Sequence, residues 1–222
     1  MTIYHQGAAR TTRDVPMTHA EREARVQLAA CYRIFHHLGW TEMIFNHITL
    51  RVPGPDKLFL INPFGLHYSE ITASSVVLID IGGNPVRESK WPVNRAGFVI
   101  HSAIHASVEE AHCVMHTHTT TGMAVASLKE GLSPTNFYAA QLHGAVAYHE
   151  FEGITVEEGE KQRLVASLGR KRALILRNHG LLAWGPSVPE AFMMLWTLQR
   201  TCDDVFAAMQ RLVDAKDPSY RD

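Results

Sequence analysis

Cysteine is scarce in this sequence. The three residues, Cys31, Cys113 and Cys202, are too few and too scattered for a disulfide framework or a cysteine-rich zinc module, so a reducing compartment is expected. An excess of either charge is also missing. Lysine and arginine number 21 against 22 aspartates and glutamates, a formal net charge of −1 with a pI near 6.9. That balance removes the electrostatic term on which nucleic-acid binders depend, and any polybasic membrane anchor, so neither kind of partner is expected. No apolar run approaches ~20 residues, and the N-terminus lacks the apolar stretch of a signal peptide. The expectation is a soluble, cytoplasmic protein. Internal repeats, low-complexity stretches and linkers are absent too, which points to one domain in these 222 residues. At 46% hydrophobic and 19% charged residues the chain is far from the composition of disorder. What it has in plenty is histidine, 14 in all.

Residues 1–17 show no sustained periodicity and are expected to form an N-terminal arm, with residues 18–222 as the single domain. Thr18 and Glu21 have capping-box spacing ahead of a helix whose apolar positions Val26, Leu28, Ala29, Tyr32, Phe35 and Leu38 recur at helical intervals, and Gly39 stops it. Strands are expected at Ile44–Val52, Leu58–Ile61 and Val76–Ile81, separated by Pro- and Gly-rich turns. A helix over Ala96–Ala106 leads to a buried strand at Cys113–His116, then to a helix over Thr119–Lys129 closed by Gly131. Further on come a strand at Ala145–His149, a helix at Val156–Leu168, and one long strand at Ala173–Trp184, bent at Asn178-His179-Gly180. An amphipathic helix over Val188–Val213 ends the pattern; its stripe of Phe192, Trp196 and Phe206 is core or interface. Strands and helices interleave throughout, the mark of an α/β fold.

The sharpest chemical signal is His116-Thr117-His118. Positions two apart on a strand share a face, so two imidazoles there can chelate a divalent cation; polar residues at a strand end are the plainer alternative. The second signal is His179, followed by Gly180 at the end of the apolar run Ala173–Leu176, where α/β sheets tend to open their sites. A core histidine donating to a carbonyl fits there equally well. Three imidazoles with an open position describe a catalytic zinc-type site, and also suit iron, manganese or cobalt. Cys113 lies an odd number of positions before His116 and is expected to face the other way, into the core.

From Gly39 to about Ala208, roughly three quarters of the chain, the sequence resembles the class II aldolase/adducin family. The landmarks are Phe45-Asn46-His47-Ile48-Thr49, Asn62-Pro63-Phe64-Gly65, His101-Ser102-Ala103-Ile104-His105, His116-Thr117-His118 and Asn178-His179-Gly180-Leu181, with His118 and His179 61 positions apart. The resemblance implies a three-layer α/β/α fold around a mostly antiparallel sheet. It implies one divalent metal per chain on His116, His118 and His179, zinc in first place with iron or manganese as alternatives. It also implies a homotetramer with active sites near subunit contacts. The corresponding chemistry is carbon–carbon lyase chemistry through a metal-stabilised enolate.

The chain departs from the family's sugar-phosphate aldolases in two places. Gly97 stands where those enzymes carry an acidic proton acceptor, and no nearby carboxylate replaces it. Phe45-Asn46, Phe64-Gly65 and Asn94-Arg95 stand where small phosphate-binding residues are expected. The two aromatics are either extra core packing or part of a pocket for an apolar substrate, with Arg95 left to pair with a carboxylate. Asn46, Phe64, Gly65 and Arg95 are therefore the expected substrate contacts, and the substrate a small non-phosphorylated oxo- or hydroxy-carbonyl compound. Tyr138 falls near the family's mobile tyrosine, a proton donor across a subunit contact. His105, one helical turn after His101, can orient a ligand or touch substrate. His47 can line the pocket or replace a polar turn residue. The substitutions match the adducin-like branch, whose eukaryotic heads are not known for catalysis and usually lack the metal histidines. This chain keeps all three. A non-haem iron oxygenase acting on an aryl or alkyl keto acid is the alternative enzyme, and an adducin-like assembly module the alternative without catalysis.

Overall fold

The computed structural model describes residues 16–153 and 158–216; most of the expected arm and the first two residues of the helix expected from Val156 lie outside the described residues. In chain order the elements are α1 (His19–His37), β1 (His47–Arg51), β2 (Phe59–Ile61), a 3-10 turn (Tyr68–Glu70), β3 (Val77–Ile79), α2 (Arg95–Ser107), β4 (Cys113–Thr117), α3 (Thr120–Ala126), α4 (Phe137–Gln141), β5 (Val146–His149), α5 (Glu158–Leu168), β6 (Ala173–Leu176), β7 (Gly180–Gly185) and α6 (Val188–Lys216). The strands form one sheet in the order β3-β2-β1-β4-β7-β6-β5. Every neighbouring pair is antiparallel except β5 and β6, which are joined through α5 and run parallel.

Alternation along the strands sorts the side chains onto two faces, with a third, smaller cluster of Phe59, Ile61, Val77, Ile79 and Phe98 at the β2–β3 end. Cys113 and Met115 of β4, Ala173 and Ile175 of β6, and Leu181 and Ala183 of β7 face a cluster completed by Leu28, Tyr32 and Phe35 of α1 and Leu195 and Leu198 of α6. Val114, Leu174, Leu176, Leu182 and Trp184 face Ile100 and Ile104 of α2 and Leu164 and Leu168 of α5. The sheet is thus the middle of three layers. Cys113 lies on the α1/α6 face, opposite the face His116 takes by alternation, as its odd spacing requires. Phe192 and Trp196 pack partly buried against the larger core, while Phe206 remains exposed.

Two local expectations are corrected. The long bent strand is a tight hairpin of two antiparallel strands, with Leu176 opposite Gly180. Asn178 at φ 55° reverses the chain there, a conformation asparagine tolerates better than most residues. The helix expected over Thr119–Lys129 ends at Ala126. The five-residue α4 is too short to announce itself by periodicity, although Asn136 caps it through a bond from the Ala139 N–H at 2.7 Å.

The capping box at Thr18 is half made. Thr18 accepts from the Glu21 N–H at 3.1 Å, but the Glu21 carboxylate, 3% exposed, turns to Arg25 Nε at 2.8 Å and to Arg87 Nη1 and Nη2 at 2.5 and 2.7 Å. Burial by itself raises the pKa of Glu21. The Arg87 and Arg25 bonds outweigh it and hold the carboxyl below its usual range. A depressed folded-state pKa contributes stability above the unfolded value of about 4.3, and that contribution is lost as pH falls through the folded value. Glu21→Gln leaves Arg25 buried without its charge partner and is expected to cost about 3 kcal/mol at pH 7. Urea midpoints measured between pH 3 and 7 should show that difference shrinking toward the acid end.

Candidate metal centre

His116, His118 and His179 converge at the end of the β4–β7 pair, with their donor nitrogens all within 4.8 Å of one another. The Nε2 atoms of His116 and His118 are 2.8 Å apart, those of His116 and His179 3.3 Å, and those of His118 and His179 3.0 Å. Three nitrogens around a tetrahedral ion at about 2.0–2.1 Å are separated by roughly 3.3 Å, so a shift of a few tenths of an ångström seats one. The chain builds this geometry with a close backbone approach. A Cβ on Gly180, whose φ is +158°, would lie 2.3 Å from the Thr117 carbonyl oxygen, so only glycine lets the hairpin bring His179 against the end of β4.

Hydrogen-bond polarity makes the centre electron-rich. The His116 Nδ1 faces the Leu181 carbonyl at 2.8 Å, and a carbonyl only accepts, so Nδ1 carries the hydrogen and Nε2 is bare. Asn46 does the same for His118. Its Oδ1 accepts from the His118 backbone N–H at 2.8 Å and its Nδ2 donates to the Trp40 carbonyl at 3.0 Å, which settles the amide orientation. The His118 Nδ1, 3.0 Å from that same Oδ1, must then be the donor. Two bare nitrogens facing each other at 2.8 Å repel, and a cation between them resolves the conflict. Burial keeps the rings neutral, as metal ligands must be. It lowers His116 well below its ordinary value with further pushes from His118, His47 and His179, brings His118 to about 4, and lowers His179.

The expected substrate contacts are placed unevenly. Asn46 is buried and orients His118, with three of its four hydrogen-bonding places taken by the protein. Asn46→Ala is expected to weaken zinc binding 10–100-fold, measured by competition against a chromogenic chelator. Phe64 is partly buried, its N–H bonded to the Pro92 carbonyl at 3.0 Å, and Gly65 is exposed. Phe45 is half exposed, which removes the core-packing explanation for that aromatic. Arg95 is the first residue of α2, and only its backbone is described. Tyr138 lies on α4, its ring edge-on to Trp196 at 5.5 Å and under Arg200 at 5.8 Å. Beside His179 a small recess is lined by Ile100, His149, Phe151, Glu160 and Arg177 among others.

His105 sits deep in the sheet–α2 interface. Its Nδ1 is bonded to the Ala111 carbonyl and its Nε2 to Thr49 Oγ1, both at 2.7 Å, and its ring lies against Phe59. Burial pushes it down to about 3. Both nitrogens are spent on the protein, which leaves an orienting role and none in touching substrate. Thr49 also meets His101 Nδ1 at 2.7 Å, and His101 Nε2 meets His47 Nδ1 at 2.9 Å.

The Class II Aldolase and Adducin N-terminal domain profile matches residues 26–205. The chain belongs to this family. A candidate class 2 aldolase of Caulobacter vibrioides is 47% identical over 186 residues, covering 84% of this chain and 72% of that one. Alpha-adducin of Rattus norvegicus is also 47% identical over 186 residues, 82% of this chain but 25% of that longer protein. Among solved structures, an aldolase II superfamily protein from Pseudomonas syringae superposes with a TM-score of 0.86 at 47% identity, over 88% of this chain and 79% of that one. L-fuculose 1-phosphate aldolase from Glaciozyma antarctica superposes with a TM-score of 0.75 at 30% identity, over 92% and 80%.

Within this class II aldolase and adducin fold, sequence reasoning passed over Thr49 and did not join the histidines around it. The signal was present. His47 and Thr49 are two apart on one strand face, and His101 and His105 are four apart on one helix face, so a strand period and a helix period meet side by side.

Proposed function

We propose that this protein is a metal-dependent carbon–carbon lyase acting on a small, non-phosphorylated oxo- or hydroxy-carbonyl substrate. The observation that carries the reading is the set of three Nε2 atoms, two of them bare and facing each other at 2.8 Å. His116, His118 and His179 hold the ion, zinc in first place, with His116 oriented by the Leu181 carbonyl and His118 by Asn46. When bound, such an ion polarises a carbonyl and stabilises the negative charge that develops on its oxygen. Arg95 at the start of α2 pairs with a substrate carboxylate, and Phe64 and Gly65 line the approach. Tyr138 donates a proton from a neighbouring subunit, within the homotetramer that the family resemblance implies. Glycine at 97 and the aromatics at 45 and 64 argue against a phosphorylated sugar.

The test is to incubate the zinc-loaded protein with 4-hydroxy-2-oxo acids and with ketose 1-phosphates, following fragment release by NMR. Cleavage of the former alone is expected. Faster cleavage of the ketose phosphates overturns the substrate assignment. The 47% identity to alpha-adducin favours a second reading, an assembly module without catalysis, for which the protein would bind no metal. Iron in the site with substrate-dependent oxygen uptake would instead favour the keto-acid oxygenase.

A further inference from the structure

We propose that His47 presents a bare Nε2 to a hydroxyl group of the substrate, as a fixed hydrogen-bond acceptor beside the metal centre, in space that a side chain at position 97 would otherwise fill. The proposal deepens the lyase reading and rests on it for where the substrate sits.

The polarity of this atom follows from a buried row of hydrogen bonds that starts 64 residues away in sequence, at Ala111. The Ala111 carbonyl can only accept, so His105 Nδ1 carries a hydrogen. His105 is fully buried and neutral, so its Nε2 is bare and accepts from the Thr49 hydroxyl. A hydroxyl has one hydrogen. Having donated it to His105, Thr49 Oγ1 must accept from His101 Nδ1. The neutral His101 ring then has a bare Nε2, which accepts from His47 Nδ1. The row ends with His47 Nε2 lacking a hydrogen, and among the described residues the side-chain hydrogen bond of His47 is the one at Nδ1.

The His47 ring lies beside the site. In the β1–β4 register His47 lies directly opposite the ligand His116, and their ring centroids are 4.9 Å apart. A Cβ on Gly97 would fall 2.8 Å from His47 Nε2 and 2.7 Å from its Cδ2. The ring and a side chain at 97 therefore exclude one another. The acceptor that the sugar-phosphate aldolases of this family carry at that helix position is here supplied from the neighbouring strand. An acceptor fixed in this way favours ligands that bring a hydroxyl over those with the oxygen capped. Thr49, His101 and His105 are positioning residues: they act on the substrate only through His47.

The test is ¹⁵N NMR of the zinc-loaded protein labelled at histidine, where protonated and bare ring nitrogens are well separated in shift. His47, His101 and His105 are each expected with hydrogen on Nδ1 and a bare Nε2; hydrogen on His47 Nε2 overturns the proposal. Thr49→Val cuts the row and is expected to leave His47 as a mixture of tautomers, whereas Thr49→Ser restores the single form. An unchanged His47 in Thr49→Val overturns the relay. A ligand measurement complements this. Zinc-loaded wild type should prefer glycolate to methoxyacetate, and His47→Phe should narrow that preference about three- to tenfold. An equal ratio in both proteins overturns the substrate contact. Failure of wild type to bind zinc counts against the metal centre instead, and the tautomers are then read on the metal-free protein.

Discussion

Replacing His118 with alanine is expected to lower zinc affinity 100-fold or more without loss of the fold. Removing one of three ligands is a larger change than removing a group that merely orients one, which already costs 10–100-fold. His118 lies just past β4, ahead of the first turn of α3, and is only partly buried. Its removal also relieves the conflict between bare nitrogens at 2.8 Å, so the metal-free variant should melt no lower than metal-free wild type. Thermal melts with and without zinc check both points. Wild type should gain stability with zinc according to its affinity, and the variant should gain none at the same concentration. A variant that keeps stoichiometric zinc contradicts the three-histidine assignment.

Gly180→Ala should be the more damaging change to the fold. The new Cβ would meet a backbone carbonyl of the central strand at 2.3 Å, at a φ of +158° that L side chains rarely adopt. The obstacle is main chain in a paired strand, so the hairpin must move rather than a flexible side chain. A cost of about 3 kcal/mol or more is expected, at the upper end for single substitutions. Because His179 precedes Gly180, displacement of the turn should also carry its Nε2 away from the other two, and zinc affinity should fall together with the urea midpoint. Wild-type stability with wild-type zinc binding would contradict the close approach described here.

What was legible in the sequence depended on the range of the forces involved. The period-2 pattern of β4 put His116 and Cys113 on opposite faces, and the structure agrees. The hairpin at Asn178 looked like a bend because its apolar run is continuous on both sides, and only the positive φ of Asn178 tells a reversal from a kink. Glu21 has the spacing of a capping residue, but Arg87, 66 positions away, claims its carboxylate. Asn46 reads as a substrate contact from its place in the motif, yet the side chain is spent on His118, 72 positions on. The row from Ala111 to His47 was hidden for the same reason: each of its histidines has a local alternative, and only the β1–α2 contact joins them. Periodic, local signals carry through from sequence, while polar bonds between distant segments need the assembled sheet.

The measurement that bears most directly on the central claim is elemental analysis of the protein purified without chelators and without an affinity metal column. About one divalent ion per chain, zinc foremost, is the result this account predicts, since His116 and His118 leave bare nitrogens that a metal ion reconciles. A protein that carries no metal, and takes up none when zinc, manganese or ferrous iron is added, would contradict it.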